Sequence, residues 1–243
     1  RLDGMYWHYL DKWIFALARY ARAARDASAV FRGLRLVRQV HPRFLARTPQ
    51  GQPLGLYWKM NADLTTIPGR ERAGPSGDAV AGLVAYTALQ RTLEALGPTD
   101  EPGIVQECSD LLAFSRAYAA AGGLDAGTSD PLGYGLQHWE AQFFAPELTR
   151  GLRRELHGLA GAALHPRHLS LPFRLYGGLL GARLSGEPKL QAVAVERLEQ
   201  VLPEELRTRC GETEHSGINK VMLASALMPT AFERRADEET ISL

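Results

Sequence analysis

Cysteine is nearly absent: Cys108 and Cys210 are the only two in 243 residues, and they lie far apart. One disulfide between them is compatible with that count, but no disulfide framework is implied, and a reducing compartment is the default expectation. Lysine is almost as scarce, occurring only at positions 12, 59, 189 and 220, so arginine carries most of the positive charge. Formal net charge is only +1, and no block of like charges occurs. Nothing electrostatic in the composition therefore favours nucleic acid or an anionic membrane surface. No apolar run approaches the ~20 residues of a membrane span. There is no signal-like start, and a cytoplasmic location is expected. The G-x-S-x-G elbow, the Walker A loop, G-x-G-x-x-G, H-E-x-x-H and a D-D-x-x-D metal box are all missing. Serine hydrolase, nucleotide-phosphate, zincin and terpenoid-type readings lose their usual support.

What is present is an ordinary globular composition, 45% hydrophobic and 23% charged. A chain of this length buries roughly 70% of its unfolded surface, enough for one sizeable core. Apolar spacing predicts a helix over 5–24 that is apolar most of the way round, with His8, Asp11 and Lys12 in a remaining arc. A second helix is expected over 26–41, stopping before Pro42. Leu54 to Met60 reads as a strand-like loop segment, and Ile67 to Gly77 as a Gly/Pro-rich connector. Helix three is expected behind Asp78 as N-cap and helix four over 103–121, with Gly122-Gly123 as its stop. Helix five follows Asp130-Pro131, with the aspartate as cap and the proline at the first helical position. Helices six to nine are expected over 146–163, from about 171, over 188–201 and over 215–228. The charged tail from Glu233 reads as frayed.

Even-numbered helices carry Arg, Glu and Gln along one side, whereas odd-numbered ones are more apolar or Gly-rich, with polar residues near their starts. Alternating inner and outer helices follow from that contrast, so the expectation is all-α, one domain over 1–243, in an α/α toroid or solenoid.

The polar clusters are the chemical candidates. In the first helix His8, Asp11 and Lys12 lie at i, i+3 and i+4, within reach of one another. A functional reading makes Asp11 a carboxylate acting on substrate, with His8 and Lys12 positioning it; the alternative is an ion pair at a buried helix end. Trp58-Lys59-Met60-Asn61-Ala62-Asp63 places an aromatic platform, a cation, an amide and a carboxylate within six residues. Sugar pockets use such groups: flat apolar faces stack on aromatics while hydroxyls bond to charged and amide groups. An aromatic-anchored loop explains the same residues. Asp78 and Asp130 are explained by capping. His138-Trp139-Glu140 offers a glutamate beside an aromatic, suited to general acid chemistry, or else a core Glu–His pair. His215 and Asn219 share a face as ligand contacts or as a cap. His165 and His168 lack a third ligand, so no metal and no cofactor are expected.

These clusters at inner-helix starts, His8-Tyr9-Leu10-Asp11-Lys12-Trp13, Leu56-Tyr57-Trp58-Lys59-Met60 and Asp130-Pro-Leu-Gly with His138-Trp139-Glu140, resemble the six-hairpin glycosidase-like superfamily. That group includes α/α-barrel glycoside hydrolases and relatives of N-acylglucosamine 2-epimerase. A complete ring has six hairpins, and the nine helices counted here would make an incomplete one. The resemblance implies a carbohydrate-active enzyme, hydrolase or epimerase-like, with its site at the inner-helix starts and a small carbohydrate as ligand. Asp11, Glu140, His8 and His138 are the expected catalytic residues. Lys12, Trp58, Lys59, Asp63 and His215 are the expected binding residues. The rival expectation is a non-enzymatic helical scaffold that holds a peptide or protein in its concave face.

Overall fold

The computed structural model describes residues 4–68, 73–74, 76–96, 99–165, 171–204 and 216–243. Among them the chain is mostly helical: α1 (Trp7–Ala24), α2 (Ala27–Phe44), α3 (Gly77–Ala95), α4 (Val105–Ala120), α5 (Pro131–Ala141), α6 (Arg150–Ala163), α7 (Pro172–Leu184), α8 (Pro188–Glu204) and α9 (Ser216–Leu227). Five short strands interrupt them: β1 (Gly4–Tyr6), β2 (Leu45–Arg47), β3 (Pro53–Tyr57), β4 (Lys59–Asn61) and β5 (Ala73–Gly74). No described helix is long and apolar enough to cross a membrane.

The chain divides into two compact units, one up to Gly123 and one from Leu124 to Ser242. The first holds α1–α4 and all five strands. In it α1 packs most extensively on α3, while α2 and α4 flank them. α3 is buried nearly all round over Ala79 to Tyr86, whereas α2 buries one stripe, Val30, Leu34, Val37, His41 and Phe44. α3 thus matches the wholly buried helix and α2 the amphipathic one expected from composition, but the contrast does not extend to α1 and α9, which each bury a single stripe. β1 leads directly into α1 and pairs antiparallel with β4, which sets Tyr6 opposite Lys59. β2, β3 and β5 form a separate three-stranded antiparallel sheet, so the segment read as strand-like contributes to both sheets.

In the second unit α7 lies against both α5 and α9. Glycine makes the α5–α7 approach possible. A Cβ built on Gly135 would stand 2.0 Å from the Gly177 carbonyl oxygen, and one on Gly181 2.5 Å from the Gly135 Cα. Backbone atoms cannot yield as a flexible side chain can. Asn219 on α9 accepts a hydrogen bond from the Phe173 backbone N–H at 3.1 Å, and so satisfies the start of α7.

Four local expectations are corrected. α2 continues past Pro42 to Phe44, because an exposed proline in the last turn forfeits only one backbone bond and clashes with little else. α1 buries one face rather than several: Trp7, Leu10, Asp11, Ile14, Phe15, Ala18 and Ala21 are inside, while Tyr9, Trp13 and Tyr20 are exposed. Asp78 is not the cap of α3. Ser76 occupies that position without a side-chain bond, and Asp78 lies one residue inside the helix. The tail is pinned rather than frayed, since Ile241 donates to the Phe143 carbonyl at 2.7 Å and the Glu238 carboxylate accepts from the Arg235 N–H at 3.0 Å.

The glycine contact predicts opposite outcomes for two helical substitutions. Gly135→Ala should cost about 1–3 kcal/mol through overpacking against backbone. Gly158→Ala, on the exposed side of α6 with nothing within 4 Å of its Cβ, should be neutral or stabilise by up to ~1 kcal/mol. Urea unfolding followed by circular dichroism measures both.

Candidate functional site

Two polar groups meet at the start of α1. The first is aromatic. Tyr6 touches the rings of His8 at 5.4 Å, Tyr9 at 5.5 Å and Trp58 at 5.4 Å. Lys59 donates to the Tyr6 hydroxyl at 2.8 Å, with its Nζ 4.5 Å from the Tyr6 ring centre. The β1–β4 register produces this arrangement, and the Trp7 N–H donating to the Trp58 carbonyl at 3.1 Å ties the strand pair to the helix. Trp58 remains 42% exposed, so part of its ring faces solvent.

The second group is buried. Asp11 has no exposed surface at all. Its Oδ1 accepts from the Lys12 ammonium at 3.0 Å, and its Oδ2 has no hydrogen-bond partner. Burial outweighs the lysine and raises the carboxyl to about 6. Asp78 on α3 is also raised, chiefly by burial against the opposing pull of Lys12, and its charge reaches Asp11. The Trp7 indole N–H donates to the Asp78 carbonyl at 2.8 Å and locks α1 to α3 at this level. Close packing there is strict: a Cβ on Gly82 would meet the Trp7 ring at 2.8 Å. His8 does not pair with Asp11. Its ring lies 4.4 Å from that of Tyr9, and burial, then Lys12, lowers it to about 4, leaving it neutral.

The interior of this unit holds further polar groups that the sequence reading missed. Tyr86 is wholly buried with an unpartnered hydroxyl, raised by burial and, in smaller part, by the charges of Cys108, Glu107 and Asp11. Its ring is 6.0 Å from Trp7 and 5.7 Å from His41. His41 Nε2 lies 3.2 Å from the Asp110 carboxylate while Nδ1 has no partner, and burial lowers its proton affinity. A histidine on the apolar stripe of an otherwise amphipathic helix was the signal available for His41.

Asp63 belongs to a turn. Its Oδ1 accepts from the Thr65 N–H at 3.0 Å and the Thr65 hydroxyl at 2.7 Å, which lowers its pKa. Thus the structure brings together His8, Asp11, Lys12, Trp58 and Lys59, while the Asp63 carboxylate is taken up by its own loop.

In the second unit Asp130 caps α5 as expected, accepting from the Gly133 N–H at 2.9 Å and pairing with Arg174. His138 is 2% exposed, neither ring nitrogen has a hydrogen-bond partner, and its ring stands edge-on to Tyr134 at 4.6 Å. Burial, then Arg153 and His157, lowers it to about 4. Glu140 is two residues on and half-buried, so it points away from His138, and no Glu–His bond forms. His215, together with Glu214, His168 and Cys210, lies outside the described residues. Among the described residues no group of three metal-ligating side chains occurs.

No known protein family matches the chain, and neither a curated protein nor a solved structure shows significant similarity to it.

The shifted groups oppose one another in their effect on stability. Asp11 titrates from 3.8 in the unfolded chain to about 6 in the fold, so its contribution is full below pH 4 and falls as pH rises to 6. His8 and His138, lowered from 6.5 to about 4, contribute stability that is full above pH 6.5 and lost as pH falls to 4. Asp11→Asn removes the opposing contribution. Between pH 7 and pH 4 the variant should lose about 2 kcal/mol more stability than the parent, at ~1.36 kcal/mol per pKa unit. Denaturant titrations at both pH values test this, and equal losses would contradict it.

Proposed function

We propose that the chain is a carbohydrate-active acid–base enzyme, hydrolase or epimerase-like, working at the α1–α3 end of the first unit. The observation that carries this reading is Asp11: wholly buried, raised to about 6, and with one carboxylate oxygen unpartnered. A carboxyl group poised near neutrality serves as acid in one half of a reaction and as base in the other. Asp78 supplies the second carboxylate, as sugar chemistry at an anomeric centre requires. Lys12 keeps the pair from becoming fully protonated, and its ammonium is a donor for a developing oxyanion. In hydrolysis the Asp11 proton passes to the glycosidic oxygen as the carbon–oxygen bond breaks; a water then bonds the anomeric carbon through its oxygen and returns a proton to the Asp11 carboxylate. Trp58 and Tyr9, with Tyr6 and Lys59 behind them, form the platform on which a pyranose face stacks. In this reading the alternating helices are an arc of an α/α toroid, with its ligand at the inner-helix starts. Glu140 and His138 are the second unit's candidates for the same chemistry.

A thermal-shift screen of monosaccharides and oligosaccharides tests the proposal on the parent chain, Asp11→Asn and Glu140→Gln. A true ligand at 100-fold excess over its Kd should raise the midpoint by about 5–10 °C. Turnover of that ligand should be lost in Asp11→Asn. No stabilising sugar, or turnover unaffected by Asp11→Asn, would overturn the reading. Loss in Glu140→Gln alone would move the catalyst to the second unit.

A further inference from the structure

One stretch of the chain carries no negative charge at all. From Ala27 to Ala62 there is neither Asp nor Glu, against five arginines and one lysine, in a chain whose net charge is only +1. Four of the arginines, Arg32, Arg35, Arg38 and Arg43, lie on α2. Arg38 is neutralised by Glu101 at 2.8 Å. The other three face solvent. At ~100° per residue Arg32, Arg35, Gln39 and Arg43 fall within about 80° of one another, opposite the buried stripe of Val30, Leu34, Val37 and His41.

These cations are free. Among the described residues Arg35 and Arg43 form no hydrogen bond or ion pair, and Arg32 spends only one N–H, on the neutral Ser28 hydroxyl at 3.3 Å. A face that only meets water looks different. On α8 the Gln200 amide ties Glu196 at 3.1 Å and Arg197 at 3.0 Å into one self-neutralising set. The helix dipole favours a cation at Arg43, in the last turn of α2, but gives Arg32 and Arg35 nothing.

Shape narrows the partner. Arg32, Arg35, Leu36 and Gln39 line a shallow depression of about 310 Å³, where half-buried Leu36 and the arginine methylenes offer an apolar surface. An apolar side chain fits there, with acids on either side for the guanidinium groups. The cations run along one line of roughly 16 Å, at ~1.5 Å per helical residue from Arg32 to Arg43. An extended peptide covers that distance in about five residues at ~3.3 Å each. A helix in a nucleic-acid groove lies between two phosphate walls and needs cations on both flanks. Here one flank is Leu36 and the other the neutral Arg38–Glu101 pair.

We infer that the Arg32–Arg35–Arg43 face of α2 docks an extended acidic peptide segment of another protein, with an apolar side chain seated over Leu36 and glutamate or aspartate on either side. No residue of the proposed sugar site takes part, so either idea can fail alone.

The test uses the whole chain and a labelled nonapeptide whose central leucine is flanked on each side by glutamates two and four residues away, with serine between. At low salt, fluorescence anisotropy should show saturable binding. Glutamine in place of the glutamates should abolish it, and serine in place of the leucine should weaken it about fivefold. Arg35→Glu and Arg43→Glu, at exposed positions, should each weaken it about tenfold with the far-ultraviolet spectrum unchanged. Arg154→Glu, the same charge change on the exposed side of α6, should leave binding intact. No binding, equal binding of the glutamine peptide, or an equal loss in Arg154→Glu overturns the inference. So does displacement of the peptide by a thymidylate dodecamer whose own binding needs Arg35, or a dimer in sedimentation that Arg35→Glu dissolves. Those results would reassign the face to nucleic acid or to a second copy.

Discussion

Close approach of alternate helices is the constraint on which the rest of each unit depends. α1 reaches α3 across Gly82, and α5 reaches α7 across Gly135, Gly177 and Gly181, at distances that leave no room for a Cβ. Any polar side chain caught at such a contact is stripped of water. That is the situation of Asp11 and Tyr86 in the first unit and of His138 and Tyr134 in the second. Their shifted proton affinities share that largest cause, burial, and the charged neighbours Lys12 and Arg153 only modify it.

Buried polar groups left without partners are costly, at about 1–3 kcal/mol for a neutral group and more for a charge. A fold keeps them where something else offsets the cost. In the first unit they cluster: the Asp11 carboxylate, the Tyr86 hydroxyl and the His41 Nδ1 are all unpartnered, on three helices that meet around Trp7, Phe44 and Tyr86. Lys12 gives Asp11 a partner on one side only, which keeps the acid both buried and titratable.

Much of the fold was legible from apolar spacing and punctuation. Asp130-Pro131 announces α5, and the stripe Val30, Leu34, Val37 announces an amphipathic α2, because caps and helical periodicity are local. Errors arose where tertiary structure overrode the local signal. Asp78 has the chemistry of a cap, but α3 begins earlier and carries it inside. Pro42 should stop a helix, yet its place in the last turn makes it cheap. The β1–β4 pair joins residues more than fifty positions apart, and nothing in either segment names the other. For the site, the Asp11–Lys12 pair was legible from their adjacency, but His8 turns to Tyr6 and Tyr9 instead, and Asp11, read on the polar arc, belongs with Trp7 and Ile14 on the buried face. His41, Tyr86 and Asp110 went unnoticed because each lies in a stretch that reads as ordinary helix.

The central claim is that burial at the α1–α3 contact makes Asp11 an acid poised near neutrality. Carboxyl carbon NMR of the isotopically labelled chain, with Asp11→Asn to assign the resonance, reads that directly. The account predicts a titration midpoint near 6. A midpoint at 3.8, the value of an ordinary aspartate, would contradict it.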